Sequence, residues 1–363
     1  FALFLIALAQ RLDRLVIAGK VGPGPGVAHY ELPPETGFVE LPYFPRLTDP
    51  VPAVRGMLGS LTRFWRVLGE VDGVWLLGPH PLAIAFALLA LVRRRSVTLG
   101  VRQDFPRYVR ARHPGRRWVW AAGDVLEAVW RALARRLRVV VVGPELAEHY
   151  PPKRTLELTV SLVRAEDIVP AGGADRAYDG DELRVLSVGR LEEEKNPLLL
   201  AEIMAGLRAS DPRWRMLVCG EGPLESELRR RLSELGVADH VDLLGYVPHD
   251  RGLREIYRSS HALLHVSWTE GLPQVLFEAF AARLPVVATA VGGVAAAAGE
   301  AALLVEPGDA RQPVAALARV AAEPDLRRRL TEAGAQRVAS RTLEAEAARV
   351  ARFLDTRADD ATG

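Results

Sequence analysis

The sequence predicts an α/β chain of two doubly wound, Rossmann-like domains facing across a cleft, and three observations carry that expectation. Short β-branched runs alternate with helical patterns along nearly the whole chain, the signature of parallel α/β units. The runs fall into two sets separated by "VPAGGADRAYDGDE", a stretch rich in Gly, Ala and Asp with no apolar period, which reads as a linker. At 363 residues, 49% hydrophobic and 25% charged, the chain is long enough to bury two cores of ordinary composition.

Taken in order, "FALFLIALA" opens the chain as an apolar helix. It and the later "PLAIAFALLALV" fall short of the ~20 residues of a membrane span, so both read as helices of a globular core. With no basic residue ahead of it and a strand-like run behind it, the first is not read as a secretory signal. The chain begins at Phe1 rather than Met, so something upstream is expected to be missing. The strands of the first set are "RLVIAG", "GFVELP", "GVWLLG", "SVTLGV", "RVVVVG" and "ELTVSLV", with helices over Leu82–Arg93 and Asp124–Leu137 between them. "GPGPG" at Gly22 to Gly26 reads as a flexible loop. The second set is "LRVLSVG", "WRMLVCG", "HVDLLGY", "HALLHVS", "LPVVAT" and "AALLVEP". The expected domains are 1–175 and 176–340, followed by a C-terminal helix in 341–363 that returns to the first domain and ends in the polar tail "DTRADDATG".

One cysteine, Cys219, excludes an internal disulfide framework and a thiolate metal cluster, which suits a reducing compartment and makes a cytoplasmic protein the expectation. Of the 47 basic residues only Lys20, Lys153 and Lys195 are lysine, a bias that singles out each survivor. Between Ala90 and Arg138 thirteen arginines face only Asp104, Asp124 and Glu127, a net +10, with Phe105, Tyr108, Trp118, Trp120 and Trp130 interleaved. Such a patch, over residues 90–138, is expected either to rest on an anionic membrane surface or to be a solvated face of an arginine-rich protein. No nucleic-acid recognition module is visible.

Doubly wound domains place ligands at the carboxyl ends of their strands. After "RVLSV" comes "GRLEEEKNP", where Arg190 and Lys195 precede a helix start and could hold a diphosphate; Glu192, Glu193 and Glu194 could equally pair with both cations. After "HALLHVSW" comes "TEGLPQ", which projects Glu270 from a strand end and exposes the helix N-terminal amides at Leu272 and Gln274. Glu278 lies in "PQVLFEAFAA", a helix apolar on nearly every side. A carboxylate there needs an internal arginine or tyrosine, or a bound polar ligand. His80 in "GPHPLA" and Asp104 in "RQDFP" follow successive strands and fit ordinary turn chemistry as well as a site. His261 and His265 fall in a strand with no third ligand nearby and read as packed histidines. Asp179-Gly180-Asp181 precedes a strand, the wrong end of a sheet for a metal site, and no Gly-x-Gly-x-x-Gly opens a helix after a strand.

Together "GRLEEEKN", "GEGP", "LLGYVP", "EGLPQVLFEAFAARLPVVAT" and "VGG", in this order and spacing, resemble the retaining glycosyltransferases of family 4, which have the two-domain GT-B fold; the resemblance covers about Leu183 to Ala322. It implies transfer of a sugar from a UDP- or GDP-linked donor to a hydroxyl acceptor with retention of configuration, in cell-surface glycan, polysaccharide or glycolipid synthesis, without metal or further cofactor. It implies that Arg190 and Lys195 hold the diphosphate, that Glu270 with Gly271, Leu272 and Pro273 meets the donor sugar, that Glu278 takes the ribose hydroxyls, and that Val247 meets the base. His80 and Asp104 stand where family members carry active-site residues on the acceptor side, and a lipid-linked acceptor would place the protein on the inner membrane face. Two features depart from the pattern: the chain starts in the helix that follows the family's first strand and glycine-rich loop, and "VGG" is followed by "VAAAAGE", without the acidic residue that often comes shortly after it. The alternatives are a non-catalytic nucleotide-sugar binder and a GT-B nucleotide-sugar epimerase.

Overall fold

β-Branched runs that are apolar on both faces become parallel strands covered on both sides, and this holds for the central strands of each large sheet. The computed structural model describes residues 2–22, 32–43, 50–113, 115–159, 162–172, 176–248 and 252–355. Most of "GPGPG" and the end of "DTRADDATG" lie outside the described residues. Two compact units emerge, Phe1–Val160 with Glu344–Gly363, and Ser161–Leu343.

In the first unit, β1 (Val16–Lys20) pairs with β2 (Gly37–Leu41), and β3 (Gly73–Gly78), β4 (Ser96–Val101), β5 (Arg138–Val142) and β6 (Thr155–Leu158) form a second parallel sheet in that order. The last strand starts ahead of the expected "ELTVSLV". The helix expected from Asp124 begins earlier, at Arg117, and runs to Ala134. Its Trp130 is fully buried against Gly78, where a Cβ would approach the indole to 2.6 Å, so this aromatic belongs to the core and not to the basic surface. The helix Pro81–Val92 lays Phe86 on Phe64, ring centroids 3.9 Å apart. Among the described residues β1 and β3 each keep one edge without a strand neighbour, and both edges line a cavity of about 1130 Å³ together with Leu5, Leu8, Phe64 and Trp75. The C-terminal helix Leu343–Leu354 is anchored to this unit by the fully buried Glu346, which accepts from the Thr159 amide at 3.4 Å, by Arg349 donating to the Glu157 carbonyl at 3.1 Å, and by Arg138 donating to the Phe353 carbonyl.

The second unit is one sheet of six parallel strands: β7 (Leu183–Val188), β8 (Trp214–Cys219), β9 (Val241–Gly245), β10 (Ala262–His265), β11 (Val286–Thr289) and β12 (Ala302–Val305). Their order is β12-β11-β10-β7-β8-β9. Alternation along β7 sends Val185 to a core with Met204 and Trp214 on one face, and Leu186 to a core with Phe280 and Val286 on the other. Part of the expected linker is fastened to this unit: Arg176 donates to the carbonyls of Tyr257, Ala282 and Arg283, and Tyr178 donates to that of His261 at 2.6 Å beneath the Arg327 guanidinium. Asp179 and Asp181 sit in the turn before β7. No helix among the described residues is long and apolar enough to cross a membrane.

Candidate functional site

The chain winds outward from β7 in both directions, through β8 and β9 on one side and through β10 to β12 on the other. The switch point therefore lies between the carboxyl ends of β7 and β10, where open α/β sheets leave a crevice for ligands. The loop after β7 carries Arg190 and Lys195; the loop after β10 carries Ser267 and Glu270. The two loops are joined, since the Trp268 amide donates to the Glu194 carbonyl at 2.9 Å and Lys195 Nζ reaches Glu270 Oε1 at 2.5 Å.

Glu270 is the centre of the cluster. Its Oε1 accepts from Lys195, from His265 Nε2 at 2.9 Å and from Ser267 Oγ at 2.9 Å. Its Oε2 takes no donor among the described residues. Burial pushes this carboxyl up, but the bonds from His265 and Lys195 and the charge of Lys195 outweigh it and hold it at about 2. A depressed carboxyl contributes stability above its unfolded value, and that contribution is lost as pH falls through the folded one. The unfolding free energy of the wild type relative to Glu270→Gln should thus shrink by up to about 3 kcal/mol as pH falls from about 4.5 to about 2. Thermal unfolding of both proteins across that window checks it; a constant difference would contradict it.

Glycines fix these loops. A Cβ on Gly293 would lie 1.9 Å from the Gly271 carbonyl oxygen, and one on Gly292, whose φ is +48°, 2.0 Å from that of Glu270, to which the Gly293 amide donates at 3.2 Å. "VGG" is therefore the floor of the Glu270 loop. In the same way "GEGP" backs the Arg190 loop: the Leu191 amide donates to the Glu221 carbonyl at 2.9 Å, and a Cβ on Gly222 would meet Leu191 O at 2.4 Å.

The backbone amides of Gly271, Leu272 and Gln274 donate to no acceptor among the described residues, and they lead into the helix Gln274–Ala281. Three buried polar atoms of the two loops are likewise without partners there: Asn196 Nδ2, His265 Nδ1 and Gln274 Oε1. Buried polar groups normally find partners, so this concentration marks a place built for a polar ligand. Arg190 is otherwise engaged: it is 61% exposed and gripped by Glu192 and Glu194 at 2.7 and 2.6 Å. Val247 follows β9, half-buried against the core that holds Tyr257.

Glu278 has an internal partner. Tyr257 Oη, fully buried, donates to Glu278 Oε2 at 2.7 Å, and burial followed by the neighbouring carboxylate drives the phenol well above its ordinary value. Glu278 itself is only half-buried. A glutamine would still accept from the phenol, so Glu278→Gln should stay within about 1 kcal/mol of wild-type stability while losing nucleotide affinity, a neutral acceptor replacing a charged one. Thermal unfolding and nucleotide titration test this; a large stability loss with unaltered affinity would contradict it.

On the first unit His80 and Asp104 are both helix caps. His80 Nδ1 accepts from the Leu82 amide at 3.1 Å, and burial, then Lys20, lowers its pKa, favouring the neutral ring. Asp104 is exposed and accepts from the Arg107 amide at 2.9 Å, ahead of the helix Phe105–Arg112. Tyr108 and Trp118 are exposed on the basic surface. The packed-histidine reading holds for His261, whose Nδ1 accepts from the Arg184 amide, and for His265, which is buried; what that reading did not include is the bond of His265 to Glu270. Ser267, Asn196, Tyr257 and the side chains of His265 and Gln274 were not selected for the site from the sequence; the spacing His-x-Ser-x-x-Glu ahead of the turn is the signal that would have pointed to His265 and Ser267.

Comparison with known proteins adds the following. Residues 174–337 match the family model described as glycosyl transferases group 1. The D-inositol 3-phosphate glycosyltransferase of Geodermatophilus obscurus is 33% identical over 288 residues, 71% of this chain and 57% of that protein. The phosphatidylinositol N-acetylglucosaminyltransferase gpi3 subunit of Schizosaccharomyces pombe is 34% identical over 143 residues, 39% of this chain and 30% of that one. The chain thus spans little more than half of the first relative's length and less than a third of the second's. Among solved structures, sucrose-phosphate synthase from Thermosynechococcus elongatus superposes with a TM-score of 0.67 at 22% identity over 99% of this chain and 92% of its own. HepE from Anabaena, solved in complex with UDP, gives 0.69 at 16% identity over 97% and 95%. Both likenesses concern the fold.

Proposed function

Residues 174–337 belong to the glycosyl transferases group 1 family, in a chain with the GT-B fold, and on that premise we propose that the protein moves a sugar from a UDP- or GDP-linked donor to a hydroxyl acceptor with retention of configuration. The observation that carries this reading is the Lys195–Glu270 junction at the switch point of the second unit, a cation and a carboxylate with one oxygen, and three following amides, that have no partner among the described residues. Lys195, Arg190 released from its glutamates, and the N-terminus of the helix Gln274–Ala281 would hold the diphosphate, whose developing charge is the largest electrostatic term available to the reaction. That charge is met by side chains and amides, so no step is routed through a metal or a further cofactor.

Glu270 Oε2 and the Gly271–Pro273 backbone take the sugar hydroxyls, Glu278 the ribose, and the Val247 backbone the base. With the carboxylate of Glu270 held ionised and tied to Lys195, the donor's own departing phosphate is left to accept the acceptor's proton on the face it leaves, which retains configuration. His80 and Asp104 serve the acceptor side. Both relatives carry inositol in their names, so an inositol phosphate or inositol lipid is the first acceptor class to pair with the donors. The basic surface with exposed Tyr108 and Trp118 would rest on anionic lipid at the cytoplasmic membrane face, where such an acceptor and a cell-surface glycolipid pathway meet.

Incubation with UDP- and GDP-sugars, with and without inositol acceptors, followed by mass and anomeric analysis of products, tests the proposal. Transfer with retained configuration is the expected result. Donor binding without product would make it a binder, and a donor converted to its epimer without acceptor would make it an epimerase; either outcome overturns the reading.

A further inference from the structure

His265 closes β10 at a position whose preceding residues, Ala262, Leu263 and Leu264, are completely buried and apolar. Packing alone would be served there by another aliphatic side chain. Instead an imidazole is buried with Nδ1 lacking a partner among the described residues, an arrangement that costs stability and therefore calls for another reason. Its other nitrogen supplies one. A carboxylate can only accept, so Nε2, 2.9 Å from Glu270 Oε1, carries the proton. Ser267 Oγ, 3.3 Å from the same nitrogen, donates to the same oxygen, and the Ser267 carbonyl is itself held by Thr289 Oγ1 at 2.8 Å.

We propose that His265 is a positioning residue of the donor site: as the Nε2–H tautomer it clamps, with Ser267, one oxygen of the Glu270 carboxylate and so fixes the other toward the sugar of the bound donor. Lys195 alone would leave the carboxylate free to turn both oxygens to the ammonium. The clamp restricts that rotation, and binding geometry set in advance is what raises turnover more than affinity. The proposal rests on the donor-site reading above and deepens it.

The test uses the full chain with His265→Leu, which keeps an apolar fit, and His265→Gln, whose Nε2 can take the place of the ring nitrogen. Imidazole nitrogen NMR on the wild type should show protonated Nε2 and bare Nδ1. Affinity for UDP and GDP should stay within twofold in both variants. Turnover on a panel of UDP-glucose, UDP-N-acetylglucosamine and GDP-mannose should fall about tenfold in His265→Leu through kcat, and by less than threefold in His265→Gln. An Nδ1–H tautomer, unchanged kcat in His265→Leu, or equal losses in both variants would overturn the proposal. If the wild type turns over no sugar nucleotide, the transferase reading fails by itself, and the tautomer then decides the clamp: Nε2–H upholds it, Nδ1–H overturns it.

Discussion

Glu270→Gln is expected to lower turnover at least tenfold while leaving nucleoside diphosphate affinity unchanged or slightly raised. Three donors converge on Oε1, and Oε2 remains for the ligand. An amide keeps the shape, but it presents either a neutral oxygen or a donor where a charged acceptor stood, and hydrogen bonds to charged groups are roughly twice as strong as neutral ones. Loss of about 1.5–3 kcal/mol of stabilisation corresponds to at least tenfold in rate. Lys195 would at the same time lose its internal counter-charge and turn fully to the phosphates, which is why affinity does not fall. Steady-state kinetics and calorimetric titration check the pair of statements. Unchanged turnover would remove Glu270 from the site; equal loss of turnover and diphosphate affinity would make it a general support of the loop.

Gly293→Ala should be among the most damaging single methyl groups in the second unit. Its Cβ would stand 1.9 Å from the Gly271 carbonyl oxygen and 3.1 Å from its carbon, and both belong to backbone rather than to a side chain that can swing away. Relief requires the whole Glu270 loop to lift, breaking the bond from the Gly293 amide to the Glu270 carbonyl and the start of the helix Gln274–Ala281 with it. Overpacking of this kind costs about 1–3 kcal/mol, and the lifted loop takes Glu270 and the amides of Gly271, Leu272 and Gln274 out of register. Nucleotide affinity should fall at least tenfold together with the melting temperature. A protein that melts and binds like the wild type would show that the "VGG" contact does not hold the loop.

How far the sequence discloses this molecule depends on the range of the interaction. The strands of the second unit were legible because runs such as "LRVLSV" and "LPVVAT" are apolar on both faces, which only a covered parallel strand tolerates. Arg190, Lys195 and Glu270 were legible as candidates because strand ends and helix starts are local signals. That Lys195 meets Glu270 was not, since 75 residues separate them and only the order of β7 and β10 brings the loops together. Patterning misread Trp130, which shares a helix with exposed residues but lies on its buried stripe; it placed His265 in the core, where it is, but gave no sign that its ring faces a carboxylate. The linker looked free because it has no apolar period; Arg176 and Tyr178 hold it by hydrogen bonds to backbone carbonyls, which leave no periodic trace. Glu278 stood out correctly as a carboxylate needing company, and Tyr257 gives it part of that company, so its ribose role now turns on the glutamine variant.

The central claim is that the crevice between β7 and β10 takes a nucleoside diphosphate through Lys195. Titration of the full chain and of Lys195→Ala with UDP, GDP and ADP and with the matching nucleosides tests it most directly. Saturating diphosphate at 100 times its dissociation constant should stabilise the wild type by about 2.7 kcal/mol. The alanine variant should lose about 1.5–3 kcal/mol of diphosphate affinity while nucleoside affinity stays nearly constant. No stabilisation by any diphosphate, or equal losses for diphosphate and nucleoside in the variant, would contradict the assignment.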